Sequence, residues 1–222
     1  MYLSRLFLNP RSRQVRSEMS DLYELHRTVM RAYNDHLDGN ERILFRLDIH
    51  PRTGIPTLLV QSQKEPNWYF LSAPEKDYLL SSDELPLDVE NPAVKSFDMA
   101  LLAGQVLAFR LRANPTVKKD RQGEKQGRRV GLAREEDQLQ WLQRKIEMAG
   151  GILVSASITN DTNVGGKLFR EYEKHNLQFL SVQFDGVLQV KDPARLLEAL
   201  RTGIGSGKGL GFGLLSLAPA RG

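Results

Sequence analysis

From Tyr2 to Leu8 the chain alternates Tyr with Ser and Leu with Arg before reaching Leu6, Phe7 and Leu8, and Asn9-Pro10 stops the run, a pattern that predicts a first strand. From Ser17 to His36 the period changes: Leu22, Leu25, Val29, Ala32 and Tyr33 recur at helical spacing and make one apolar stripe. Two strand-like runs follow, Ile43 to Ile49 and Thr57 to Gln63, joined by the turn segment His50-Pro51-Arg52-Thr53-Gly54. Residues 66 to 104 carry prolines at 66, 74, 86 and 92 and allow only a short helix from Pro92 to Ala100. Gln105 to Arg112 alternates again and is expected to close the first unit, with Asn114-Pro115 as its exit. The resulting order, βαββαβ, is that of a ferredoxin-like unit.

The second half repeats the mixture without repeating the sequence. Arg134 to Ala149 places Leu139, Leu142 and Ile146 on one helical face and stops at Gly150-Gly151. Strands are predicted at Ile152 to Thr159 and Leu177 to Phe184, with Val187 to Val190 returning after an Asp185-Gly186 turn. Asp192-Pro193 supplies an N-cap and a first-turn proline for a helix that Gly203 ends, and Leu214 to Leu217 reads as a last strand. The chain is therefore expected to be α+β, with two tandem ferredoxin-like domains at 1–115 and 130–222 joined by a basic linker at 116–129.

Composition narrows the chemistry. With 222 residues, 41% hydrophobic and 26% charged, the chain has the make-up of a soluble globular protein. No apolar run approaches the roughly 20 residues of a membrane span, and the apolar start is too short for a signal peptide, so a cytoplasmic protein without a membrane partner is expected. There is no cysteine, which removes thiolate nucleophiles, disulfides and cysteine-based zinc sites. The four histidines, His26, His36, His50 and His175, stand ten or more residues apart, so none forms the i, i+4 pair of a helical zinc motif. No metal and no cofactor is expected.

The net charge of +4 is modest, but its distribution is uneven. Between Arg110 and Arg129 there are eight cations against two acids. A basic concentration on an otherwise balanced chain is the electrostatic mark of a polyanion partner, although a solvated linker would look the same.

Near the C-terminus six glycines occupy alternate positions from Gly203 to Gly213, around the single cation Lys208. Such a segment lets backbone amides approach a ligand closely, and phosphate is the natural guest. It is not a Walker loop: with Gly207-Lys208 as the Gly-Lys pair, the glycine required five positions earlier is Thr202, and Gly209 stands where Ser or Thr is needed. A dinucleotide loop lies between the first strand and helix of a βαβ unit, not here. A phosphate cradle remains, beside the alternative of a close crossing of two packed elements.

On the first predicted helix, Tyr23 and His26 fall about 60° apart, so a phenol and an imidazole share one side, next to the apolar stripe. Imidazole is the side chain best suited to proton transfer near neutral pH, and phenol can donate or orient. An ordinary interfacial pair would give the same spacing.

Three segments taken together are more specific. The start MYLSRLFLNPRSRQVRSEMSDLYELHRTVMRAY, the middle FRLRANPTVKK with RRVGL and EEDQLQWLQRK, and the end RTGIGSGKGLGFGLLSLAP resemble, in order and over essentially the whole chain, the CasE family. These are endoribonucleases that process CRISPR RNA precursors in type I-E systems. The resemblance implies two RRM-like ferredoxin domains, metal-independent cleavage of each repeat 3′ of its stem-loop, and retention of the product RNA with other subunits of a surveillance complex. It implies His26 and Tyr23 as catalytic residues; independently of it, Arg27 and Arg31 beside them are expected to contact RNA, and either of these or Lys208 to offset the developing charge. It further implies RNA contacts at Gly205, Gly207, Lys208 and Gly209 of the glycine segment and at Lys118, Lys119, Arg128 and Arg129 of the basic segment. A stem-reading hairpin is expected at 164–176, carrying Lys167, Arg170 and Lys174. The expected chemistry is attack by the substrate's own 2′-hydroxyl, giving a 2′,3′-cyclic phosphate and a 5′-hydroxyl. A non-catalytic module that caps the RNA stem-loop would share every feature except the use of His26 and Tyr23.

Overall fold

The computed structural model describes residues 1–33, 41–73, 75–85, 89–119, 128–170 and 173–220, with the backbone alone at 119, 128, 160–170 and 173–178. The chain divides into two compact units. One comprises Met1–Asp98, Gly165–Leu177 and Gly209–Gly211, and the other Met99–Val164, Gln178–Lys208 and Phe212–Gly222.

The first unit is built on a four-stranded antiparallel sheet of β1 (Tyr2–Phe7), β2 (Leu44–Ile49), β3 (Pro56–Ser62) and β4 (Ala93–Ser96), in the order β2-β3-β1-β4. That is the strand order of a ferredoxin-like fold, with β1 paired to both β3 and β4. Alternation on β1 turns Ser4 and Leu6 inward and leaves Leu3 and Arg5 exposed. Helices α1 (Arg13–Ser20) and α2 (Leu22–Met30) close Val15, Leu25 and Val29 over Leu6, Phe45 and Leu58 in one core.

Two expectations for this half are corrected. The single helix expected from Ser17 is two helices, because Asp21 leaves helical geometry (φ −136°, ψ 92°) and caps α2 by accepting a hydrogen bond from the Tyr23 amide at 3.1 Å. The sheet is closed by Ala93–Ser96, which lies where a helix was expected, and not by residues 105–112. Those residues form β5 (Val106–Ala113), which pairs with strands of the second sheet, so the division between the units falls at Asp98 and not near 115.

In the second unit β5 is joined by α3 (Glu135–Met148), β8 (Gly151–Arg170), β9 (Glu173–Val190), α4 (Pro193–Thr202) and β10 (Leu215–Pro219). Its sheet order, β10-β5-β9-β8, again puts the first strand of the unit beside its third and fourth. Leu111, Leu142, Ile146, Phe184, Leu196 and Leu215 are buried together between sheet and helices. The basic segment of this unit contains a two-stranded ribbon, β6 (Thr116–Lys119) with β7 (Arg128–Gly131).

No turn occurs at Asp185-Gly186, which lies inside β9. Asp185 pairs across the sheet with Arg110, accepting from its Nε at 2.6 Å, while a Cβ at Gly186 would stand 2.2 Å from the Ser155 carbonyl oxygen. The glycine serves close backbone approach there. The helix at 193–202 is capped as its sequence predicts: the Asp192 side chain accepts from the Arg195 amide at 3.1 Å, and Gly203 follows at φ 77°.

Candidate active site

The first unit carries a cleft of about 750 Å³ whose walls include Tyr23, His26, Arg27 and Arg31, all supplied by α2 and its C-terminal end. The helix is held from below by a buried polar cluster. Glu18 of α1 accepts hydrogen bonds from Thr28 Oγ1 of α2 at 2.8 Å, from Gln14 Nε2 at 2.8 Å and from the Tyr78 hydroxyl at 2.5 Å. Burial, reinforced by the Glu18 carboxylate, pushes the Tyr78 phenol up, so it remains a donor. A carboxylate with three donors satisfies its buried charge and fixes α1 against α2.

His26 is half-buried. Its ring stacks on buried Phe45 with centroids 6.2 Å apart and planes inclined by 20°. On the glycine segment, a Cβ built at Gly209 would lie 3.6 Å from His26 Cε1 and 3.8 Å from both ring nitrogens. At Gly211 it would lie 3.2 Å from Phe45 Cε2. The Nδ1 atom of His26 is buried and has no hydrogen-bond partner among the described residues. Burial lowers the imidazole below its ordinary value of 6.5, so the ring is neutral at pH 7. A neutral imidazole on the wall of a cleft is equipped to take a proton from something that enters it.

The cations around this imidazole are anchored but not consumed. Arg27 is exposed and pairs with Glu24 one turn earlier, at 3.1 Å. Arg31 lays its guanidinium over the Phe70 ring, 4.5 Å from the centroid. The wall facing α2 comes from Asn67, Tyr69 and Phe70, which the sequence reading left without a role. Their signal was the cluster Trp68-Tyr69-Phe70, three aromatics in a row next to a proline in a polar neighbourhood.

In the second unit a separate cleft of about 440 Å³ is lined by Lys118, Arg129, Lys145 and Lys208, with the Thr202 and Ser206 side chains and, among the described residues, no acid. Lys118 stands directly opposite Arg129 in the ribbon, and Lys119 opposite Arg128. Like charges facing across a strand pair are destabilising. The expected RNA-binding residues thus separate by unit: Arg27, Arg31 and Gly209 belong to the first, and Lys118, Arg129, Gly205, Gly207 and Lys208 to the second. Gly205 and Gly207 face inward as well, since a Cβ would stand 3.2 Å from the Trp141 ring and 2.9 Å from the Phe212 ring respectively. The side chains of Lys119, Arg128, Lys167, Arg170 and Lys174 lie outside the described residues.

Two units with ferredoxin-like strand order, one with an imidazole–phenol cleft and the other with a cationic cleft, define a protein class of tandem RRM-like folds. The chain belongs to the CRISPR associated protein family, whose model matches residues 1–219. Among its relatives is the CRISPR-associated endoribonuclease Cse3 of Thermus thermophilus, 39% identical over 99% of this chain and all of the relative. The CRISPR system Cascade subunit CasE of Escherichia coli is 28% identical over the same shares. A solved structure of the CRISPR endoribonuclease Cse3 bound to a 19 nt RNA matches with a TM-score of 0.82 and 38% identity, covering 99% of this chain and all of that one. Among the described residues no helix is long and apolar enough to cross a membrane.

Proposed function

We propose that this protein is a metal-independent endoribonuclease. It cleaves CRISPR repeat RNA on the 3′ side of its stem-loop and retains the product within a surveillance complex in the cytoplasm. The observation that carries the reading is His26: a neutral imidazole, packed between Phe45 and Gly209, on the wall of a cleft that also contains Tyr23.

RNA provides its own nucleophile in the 2′-hydroxyl. His26 accepts the proton of that hydroxyl as its oxygen attacks the adjacent phosphorus. Tyr23 donates to the departing 5′-oxygen, and Arg27 and Arg31 offset the charge that builds on the phosphorane. The bond from phosphorus to the 5′-oxygen breaks, leaving a 2′,3′-cyclic phosphate on one fragment and a 5′-hydroxyl on the other. No cofactor takes part. Lys118, Lys119, Arg128, Arg129 and Lys208, with the glycine backbone at Gly205, Gly207 and Gly209, hold phosphates of the RNA. Lys167, Arg170 and Lys174 extend that surface along the hairpin. Recognition of the paired stem is by shape and phosphate contact, because the major groove of A-form RNA is too deep and narrow for side chains.

The test is a labelled repeat RNA incubated with the protein in EDTA. Wild type is expected to cut it and His26→Ala to cut roughly 10² to 10⁴ times more slowly while still binding it. Loss of wild-type cutting in EDTA, or full activity in His26→Ala, would overturn the mechanism.

A further inference from the structure

Tyr69 stands between two hollows of the first unit. On one side is the His26 cleft, and on the other a hollow of about 520 Å³ walled by Glu65, Pro66, Trp68, Ser72, Pro92 and Val94. Asn67 borders both. The Tyr69 residue is 72% exposed, a large aromatic surface left in water although buried Trp68 and half-buried Phe70 adjoin it.

Its position is nevertheless fixed. Buried Trp68 donates its indole N–H to Ser4 Oγ of β1 at 3.0 Å, and the Asn67 amide donates to the Ala32 carbonyl, just past α2, at 2.8 Å. The Asn67 side-chain carbonyl accepts from the Tyr69 amide at 3.0 Å. This commits the oxygen to the backbone and leaves the NH₂ group as the donor. The backbone that carries Tyr69 is thus tied to the sheet and to the segment just past α2, while the residue itself is exposed and borders both hollows.

A fixed π-surface beside an amide donor, on the wall of a cleft that holds an imidazole and two arginines, matches a flat heterocycle with a phosphate attached. We propose that Tyr69 and Asn67 form a nucleobase subsite. The base of an unpaired nucleotide at the foot of the RNA stem stacks on Tyr69, and the Asn67 NH₂ donates to an acceptor on its edge. Stacking of this kind is sequence-tolerant, and the amide adds a preference for a base with an acceptor there. The subsite holds the chain on one side of the scissile phosphate, which makes Tyr69 a positioning residue. The proposal rests on the endoribonuclease reading for the identity of its ligand.

Binding of repeat RNA to the full chain in a His26→Ala background, read by fluorescence anisotropy, tests it. The RNA carries either its normal nucleotides or an abasic one at the unpaired position 5′ or 3′ of the stem. Removing the base at one of these positions is expected to weaken binding about tenfold, as is Tyr69→Ala, with no further loss when the two are combined and with Tyr69→Phe restoring the difference. Losses that multiply, a Tyr69→Ala variant that binds like its parent, or a Tyr69→Phe variant as weak as Tyr69→Ala would overturn the subsite. The abasic arm needs no change at Tyr69 and is independent of the variants' folding. Cleavage by the His26 parent is followed in parallel. Coupling without cleavage overturns the endoribonuclease reading alone, cleavage without coupling overturns the subsite alone, and the loss of both overturns both.

Discussion

Gly209 lies against His26, with its Cα turned so that an added Cβ would meet the imidazole at ordinary contact distance, 3.6 Å from Cε1. Gly211, two residues on, faces the Phe45 ring on which that imidazole stacks. The two positions differ in what a methyl group would do. At Gly211 the backbone has φ +80° and the new Cβ would be only 3.2 Å from Phe45, so Gly211→Ala is expected to destabilise the fold by roughly 1–2 kcal/mol. Gly209→Ala meets no such strain. It is expected to leave the melting temperature close to wild type while covering the imidazole and slowing cleavage roughly tenfold. Thermal unfolding and single-turnover cleavage of the two variants check the contrast. Equal activity in Gly209→Ala and wild type would remove the loop from the catalytic centre.

The pH dependence follows from the burial of His26. Desolvation holds its folded pKa below the ordinary 6.5, so the neutral, proton-accepting form predominates at neutral pH. The single-turnover rate is expected to rise with pH through that depressed value and level off, with the midpoint of its acid limb below 6.5. A midpoint above 6.5 would take the base role from His26. The same shift acts on stability. The unfolded chain binds this proton more readily than the folded one, so the contribution present above pH 6.5 is lost as pH falls toward and through the folded pKa. A melting temperature that drops less between pH 7 and pH 5 in His26→Gln than in wild type is the matching stability result.

In the β6–β7 ribbon, Lys118 faces Arg129 across the strand pair on the wall of a cationic cleft. The repulsion opposes folding locally and favours a bound anion. Arg129→Glu converts the pair to opposite charges, and two readouts should move apart. Stability is expected to rise by a few tenths of a kcal/mol. RNA affinity at low salt is expected to fall, with the slope of log K against log salt reduced by about one unit. Unchanged RNA affinity would make the ribbon a structural element only.

The hydroxyl of Tyr78 is the longest-range member of the Glu18 cluster, donating at 2.5 Å from a segment 60 residues away. Tyr78→Phe removes one of three donors from a buried carboxylate and is expected to cost about 1–3 kcal/mol in denaturant unfolding. Cleavage per folded molecule should persist, because Thr28 and Gln14 still hold Glu18. A stability equal to wild type would show that water replaces the phenol.

Local pattern was a sound guide wherever one side of an element faces a core. The alternation of Tyr2–Phe7 and the stripe of Glu135–Met148 read directly as strand and helix because burial of one face sets the period. The same signal could not say which sheet a strand joins. Val106–Ala113 has clean alternation, yet its partners are Gly186 and Leu215 neighbourhoods far along the chain, not the strands that precede it. Ala93–Ser96 was invisible as a strand because it is short, half-exposed and set after a proline. Asp185-Gly186 looked like a turn because a turn and a close inter-strand approach ask for the same glycine.

By itself the sequence determined the α+β class, the pairing of Tyr23 with His26 on one helix, the basic character of 110–129 and the glycine spacing of 203–213, since each depends only on residue type and local period. Tertiary structure alone decided that Phe45 and Gly209 enclose His26, that Lys118 meets Arg129, and that Asn67 and Tyr69 complete the cleft wall. Those relations join residues tens to nearly two hundred positions apart. The pKa of an imidazole and the unpaired state of its nitrogen depend on what packs around it in space. For His26 that is set by strand register and by the backbone of a loop from the far end of the chain, neither of which is written near residue 26.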